Sequence, residues 1–201
     1  MAKEAERLLH KHKWPIIVGV IVLILLGTSA GAYNNFVSLD QDVNSKWSEV
    51  NNQYQRQADL IPNLVSTVSS AVTVETKFVT DVTEARSQWQ TSKTNFERDQ
   101  AGVQMTNGIT ALINAVATSE NYPVLQANKQ YVALTDELTG TQNRIAVARG
   151  NYISSIQMYN TATMRFPGVL IANMFGFQAK DYYKADLASM TTQTLGTGIL
   201  S

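Results

Sequence analysis

The feature that most constrains this chain is a run of apolar and aromatic residues, spaced by threes and fours, from Tyr33 to Trp89. Phe36, Leu39, Val43, Trp47, Val50, Tyr54, Ala58, Ile61, Val65, Val68, Val72, Val79 and Val82 carry it between those ends. An α-helix gathers such positions onto one face, so the pattern predicts a long amphipathic helix with a bundle-type seam. Pro62 falls within the run and removes one helical hydrogen bond. No glycine stands near it and the apolar phase continues on both sides, so a kink within one helix is expected, with a hairpin at Pro62 as the alternative.

The run begins where an uncharged stretch, Trp14 to Ala32, ends. At ~1.5 Å per residue this stretch would measure roughly 28 Å, close to the hydrocarbon thickness of a bilayer. Trp14 and Tyr33 bracket it as interfacial aromatics do. Thr28-Ser29-Ala30 and Ala30-Gly31-Ala32 could serve as signal-peptide cleavage sites, but the apolar run is long for a signal peptide, which favours a transmembrane anchor. Lys3, Arg7, Lys11 and Lys13 outnumber Glu4 and Glu6 in the tail before the span. The positive-inside rule then places residues 1–13 in the cytoplasm and the remainder outside. Gly27 and Gly31 form a small-xxx-small pair that would let a second helix approach closely.

The polar segment Thr91 to Asp99 reads as a connection or a frayed helix end. A second helix is expected to turn Val103, Met105, Ile109, Leu112, Ile113, Val116 and Ala117 inward. Glu120-Asn121-Tyr122-Pro123 reads as a turn. A third long helix follows, marked by Tyr131, Leu134, Leu138, Ile145, Ala148, Tyr152, Ile156 and Tyr159 and ended by Pro167-Gly168. Val169, Leu170, Ile171, Met174, Phe175 and Phe177 then form a dense apolar segment that could cap the bundle, lie on a membrane or meet another subunit. The scarcity of basic residues around it argues against the membrane. Tyr182, Tyr183 and Leu187 suggest a short amphipathic helix, and residues 189–201, rich in Thr, Ser and Gly, a flexible tail. A continuous arm from Tyr33 to Trp89 would run roughly 85 Å, more than its own chain could cover, so uncovered seam would meet other copies unless the arm breaks.

Composition bounds the chemistry. The chain has 201 residues, 44% of them apolar, with no net charge. Without a basic excess, nucleic acid is not an expected partner. Cysteine is absent, and His10 and His12 lie in the tail, which removes thiolate and imidazole chemistry from the main domain. Glu75 and Arg86 fall on the seam and are expected to form a register-setting polar pair in the core. Asp59 stands three residues after Arg56, a spacing that permits a local ion pair. An enzyme using Glu75 with Asp59 or Glu84 would need converging acids that helical spacing does not impose. No phosphate loop, metal-binding motif or nucleophile elbow appears, so no enzymatic activity, cofactor or metal is expected.

The chain resembles the LemA family of bacterial membrane proteins. The matching pieces are Tyr33-Asn34, Trp47, the run Arg56 to Val65, Glu75, Ala85-Arg86, Tyr122-Pro123, Leu125 and Ala127-Asn128. Gln142-Asn143-Arg144-Ile145-Ala146, Ala148-Arg149, Tyr159-Asn160, Phe166-Pro167 and Phe175-Gly176-Phe177 complete them, in the family's order. The family usually has an acid where Gln142 stands and a second basic residue where Gln57 stands. The resemblance implies an all-α fold: an N-terminal transmembrane helix, residues 14–32, then an antiparallel bundle of about four helices over residues 33–188, with a long first helix. It implies no established enzymatic activity. The reading is a single-pass scaffold or assembly protein of the bacterial cytoplasmic membrane that self-associates. The alternative is an adaptor or sensor that binds a peptide or an envelope protein in a groove of the bundle.

Overall fold

A computed structural model describes residues 2–70, 76–118 and 122–182, with side chains from residue 14 onward. Its described residues form helices α1 (Ala2–Ser69), α2 (Thr76–Thr91), α3 (Asn95–Thr118), α4 (Pro123–Gln126), α5 (Lys129–Met164) and α6 (Gly168–Phe175), and no strand occurs among them. The all-α expectation holds, with six helices in place of about four. Residues 189–201, Tyr183, Leu187, Glu75, Val72 and the side chains of the basic tail lie outside the described residues. Tyr182 is described and is not helical.

The chain divides into two compact units. In the unit built on Asn44–Ser154, contacts report the chain direction of each helix. Arg56 pairs with Glu137 and Trp47 packs on Tyr152, so α5 runs antiparallel to α1. Arg86 reaches Ala58, which brings α2 back along α1. Arg98 lies over the Trp89 ring, 5.5 Å from its centroid, where α3 turns back on α2. The interior is the predicted seam: Trp47, Val50, Tyr54, Ala58, Ile61 and Val68 of α1 are buried, as are Val82 and Trp89 of α2. The third-helix list is buried in full, from Tyr131 to Ile145 and Tyr152 here and at Ile156 and Tyr159 in the other unit.

One expectation about the arm holds and one needs correction. α1 passes Pro62 as a single helix, as expected, but it stops at Ser69 instead of continuing to Trp89. The length argument for uncovered seam therefore falls, because α2, α3 and α5 cover it. Pro62 is tolerated for two visible reasons. Its ring lies on the exposed face. The carbonyl four residues earlier, on Ala58, would lack a donor because proline has no N–H, and Arg86 Nε donates to that oxygen at 2.9 Å.

A further correction concerns Thr91 to Asp99. Thr94 and Glu97 form a capping box that starts α3 at Asn95: the Glu97 N–H donates to Thr94 Oγ1 at 3.1 Å, and Glu97 Oε2 accepts from the Lys93 and Thr94 backbones at 3.0 and 3.1 Å. Those backbone donors hold the Glu97 carboxyl below its usual range. At α5, Asn128 Oδ1 caps the Gln130 and Tyr131 N–H groups at 2.9 and 3.1 Å.

Candidate functional site

In the unit formed by Met1–Val43 and Ser155–Asp181, the apolar segment after Pro167 folds back onto α1. Gly168 permits the turn off α5, since a Cβ there would collide with the Ala162 carbonyl, and it sets the start of α6 against Phe36 of α1. α6 ends at Gly176, whose φ of 78° is left-handed and open to glycine without strain, and the Phe177 N–H donates to Ala172 O at 2.9 Å. This cap turns Phe177 inward. Its ring meets Tyr33 at 5.5 Å and Phe36 at 5.4 Å, and Phe175 meets Tyr33 at 5.0 Å, all edge-on. Beyond it, Lys180 is tied four ways. Its N–H donates to Asn160 Oδ1 at 2.8 Å, its carbonyl accepts from Asn160 Nδ2 at 2.7 Å, its ammonium pairs with Asp40 at 2.8 Å and it lies over the Tyr159 ring.

The apolar segment is thus two-sided. Ala172 is buried and Val169, Ile171 and Phe177 are half-buried, while Leu170, Met174 and Phe175 are exposed. The α1 stretch from Trp14 to Leu26 is exposed all round, and Gly27 and Gly31 have nothing of this chain within reach of an added Cβ. Of the core polar pair, Glu75 lies outside the described residues, and Arg86 bonds the Ala58 carbonyl. Arg56 pairs with Glu137 at 2.7 Å, and Asp59 accepts from Gln55 instead of Arg56.

The strongest electrostatic feature was not singled out in the sequence. Asp99 is 4% exposed; its Oδ1 accepts from the Tyr54 hydroxyl at 3.2 Å and its Oδ2 from Arg149 at 3.0 Å. Burial raises the Asp99 pKa, against the lowering influence of Arg149 and Tyr54. Burial and the adjacent Asp99 both push the Tyr54 phenol up, so it stays a neutral donor. With both oxygens engaged, this carboxylate crosslinks α1, α3 and α5. Gln57, one turn along α1 from Tyr54, is fully buried, and its Oε1 accepts from the Thr106 hydroxyl at 2.9 Å. Its neighbour Arg56 carries the salt bridge at the surface. Spacing could not reveal the triad, because its members stand on separate helices. Among the described residues no three acids or histidines converge as a metal would need.

The LemA family model matches residues 46–194. The chain belongs to the LemA family. It is also similar to the magnetosome protein MamQ 2 of Paramagnetospirillum magneticum, 23% identical over 203 residues that cover 90% of this chain and 75% of that protein. The magnetosome protein MamQ of Magnetospirillum gryphiswaldense is 22% identical over 215 residues, covering 91% and 77%. With the bare apolar stretch of α1, long enough to cross a bilayer, this LemA-family chain is a membrane-associated protein.

Proposed function

We propose that the protein is a single-pass anchor and scaffold of the bacterial cytoplasmic membrane, with residues 1–13 in the cytoplasm, the helical bundle on the outer side and no catalytic activity of its own. The observation that carries this reading is the contrast along α1. One helix supplies an uncharged stretch bare on every side and then a stripe buried in its own bundle. A bare apolar helix needs lipid around it. Self-association is assigned to the span, where the open Gly27 and Gly31 allow helix–helix contact. The seam no longer supports it.

The test is single-cysteine disulfide crosslinking in native membranes, which the cysteine-free sequence permits. A Leu26→Cys or Ala30→Cys variant should give dimers that Gly27→Leu with Gly31→Leu abolishes. Monomers at every span position would overturn the scaffold. The second reading, an adaptor or sensor, is favoured by an open groove of about 460 Å³ between α1 and α5, lined by Glu49, Asn52, Gln53, Asn143, Arg144 and Val147. Crosslinkers placed at Asn52 or Asn143 would then capture one dominant envelope peptide or protein in place of copies of this chain.

A further inference from the structure

We propose that α6 is an interfacial helix whose outward side chains, Leu170 and Met174, are seated in the bilayer surface. The inference rests on the anchoring of α1 proposed above, and the occupant is lipid.

Three observations carry it. The first is position. The uncharged stretch of α1 ends at Ala32, and α6 is fastened to the next turn, through Phe175 on Tyr33 and Gly168 beside Phe36. One helical turn rises ~5.4 Å, and the headgroup layer on each side of a bilayer is roughly 5–8 Å thick. With the hydrocarbon edge near Ala32, α6 lies within that layer.

The second is exposure. Leu170 is 61% and Met174 66% exposed, one helical turn apart on one face of α6, and Phe166 before them is 80% exposed. The opposite face is occupied already, by the buried Ala172 and by the cap that sends Phe177 onto Phe36. So large an outward apolar patch on an eight-residue helix would be costly in water.

The third is charge. Phe166 to Ala179 contains no charged side chain. Arg165 stands just before it, exposed and without an ion pair among the described residues, and lines a groove of about 660 Å³ with Asn35, Phe36 and Phe166. A long arginine at this height can lay its stem on the apolar surface and set its guanidinium among lipid phosphates. The sparse basic flank weighed against a membrane role only for a free amphipathic helix. A helix already held at the surface by α1 does not need charge to bring it there.

The test uses full-length protein carrying one cysteine at Leu170, Met174, Ile21 or Val124, labelled with an environment-sensitive dye. The protein is reconstituted in vesicles of phosphatidylcholine and phosphatidylglycerol that contain spin-labelled lipid. Labels at Leu170→Cys and Met174→Cys should shift to the blue and be quenched by the lipid within about twofold of Ile21→Cys, at depths of roughly 5–10 Å below the headgroups. Val124→Cys, at an exposed position of α4, should stay in water. If Ile21→Cys is quenched while Leu170→Cys and Met174→Cys match Val124→Cys, α6 is not interfacial and the anchor stands. If Ile21→Cys escapes quenching, the anchoring reading fails and takes this proposal with it. A blue-shifted Met174→Cys label that lipid does not quench would place protein on that face, and overturn the proposal.

Discussion

Two stretches of α1 are both rich in apolar residues, and they end in opposite surroundings. From Trp14 to Leu26 the apolar side chains point in every direction and stay exposed. From Val50 to Val68 they occupy one stripe and are buried to 2% exposure or less at Val50, Tyr54, Ala58, Ile61, Leu64 and Val68. The outer face there carries Asn52, Gln55, Arg56, Asp59, Pro62, Asn63 and Ser66, and the only polar side chains buried with the stripe are Gln57 and Thr67. Angular distribution, more than mean hydropathy, therefore sets where each stretch goes. A stripe can be satisfied by neighbouring helices, whereas an all-round apolar cylinder needs an apolar solvent.

The comparison is sharpest if one truncation is made in each stretch. Leu64→Ala empties a fully buried site and is expected to cost about 2–5 kcal/mol, read by urea unfolding of the full chain in detergent and followed by far-UV dichroism. Leu23→Ala, at a side chain 69% exposed, should leave the same unfolding curve unmoved. Equal losses from both would break the distinction.

A polar group set inside the stripe tests it from the other side. Arg149→Ala leaves the buried Asp99 carboxylate with only the Tyr54 hydroxyl. Breaking a fully buried pair costs about 3–5 kcal/mol, and the partial exposure of Arg149 brings the expected loss to about 2–3 kcal/mol at neutral pH. The sign with pH follows from the raised pKa of Asp99. The fold disfavours its charged form, so whatever stability this group contributes is complete below the unfolded carboxylate range and is lost as pH rises through the folded value. Removing Arg149 raises that value further. The deficit of the variant should therefore shrink as the solution is acidified through the folded pKa, and a deficit constant with pH would refute the account.

A smaller effect belongs to Arg86. Arg86→Ala leaves the Ala58 carbonyl without a donor, and about 1–2 kcal/mol is expected to be lost. In a Pro62→Ala background the new backbone N–H can serve that carbonyl, so the same Arg86→Ala change should cost less. A double-mutant cycle with no coupling would mean that the arginine acts elsewhere.

The stripe and the bare cylinder were both legible in the sequence, because each is a statement about periodicity. The end of the first arm was not. Val68, Val72 and Val79 keep helical phase across the place where α1 stops, and no glycine or proline stands there. The proline that does stand in the arm ends no helix, as the unbroken apolar phase around it indicates, and its cost is met by an arginine on another helix. Near it, the register follows Leu64 instead of the expected Val65, which is half-buried. The start of α3 was readable from Thr94 and Glu97, a pairing hidden within a segment that looks merely polar. Asp99 and Arg149 were beyond reach, since their partnership exists only after three helices have packed. For the apolar segment after Pro167, composition left capping of the bundle, membrane contact and subunit contact all open, and only the left-handed turn at Gly176 decides which aromatic goes in.

The smallest expected effect comes from two glycines, and it returns the comparison to the scale of a single methyl group. Both lie inside helices, where alanine is intrinsically preferred by about 1 kcal/mol. Gly150 faces open space, so Gly150→Ala should collect most of that preference and stabilise the bundle by about 0.5–1 kcal/mol. Gly102 faces the Tyr54 ring, and a Cβ there would stand 2.6 Å from its carbons. That ring is fully buried and its hydroxyl is held by Asp99, so it has no room to yield. Overpacking should outweigh propensity, and Gly102→Ala is expected to destabilise by about 1 kcal/mol net. The two variants should thus move the urea midpoint in opposite directions. Movement in the same direction would mean that helix propensity governs α3 and that the close approach of Tyr54 to its backbone is not what fixes glycine at position 102.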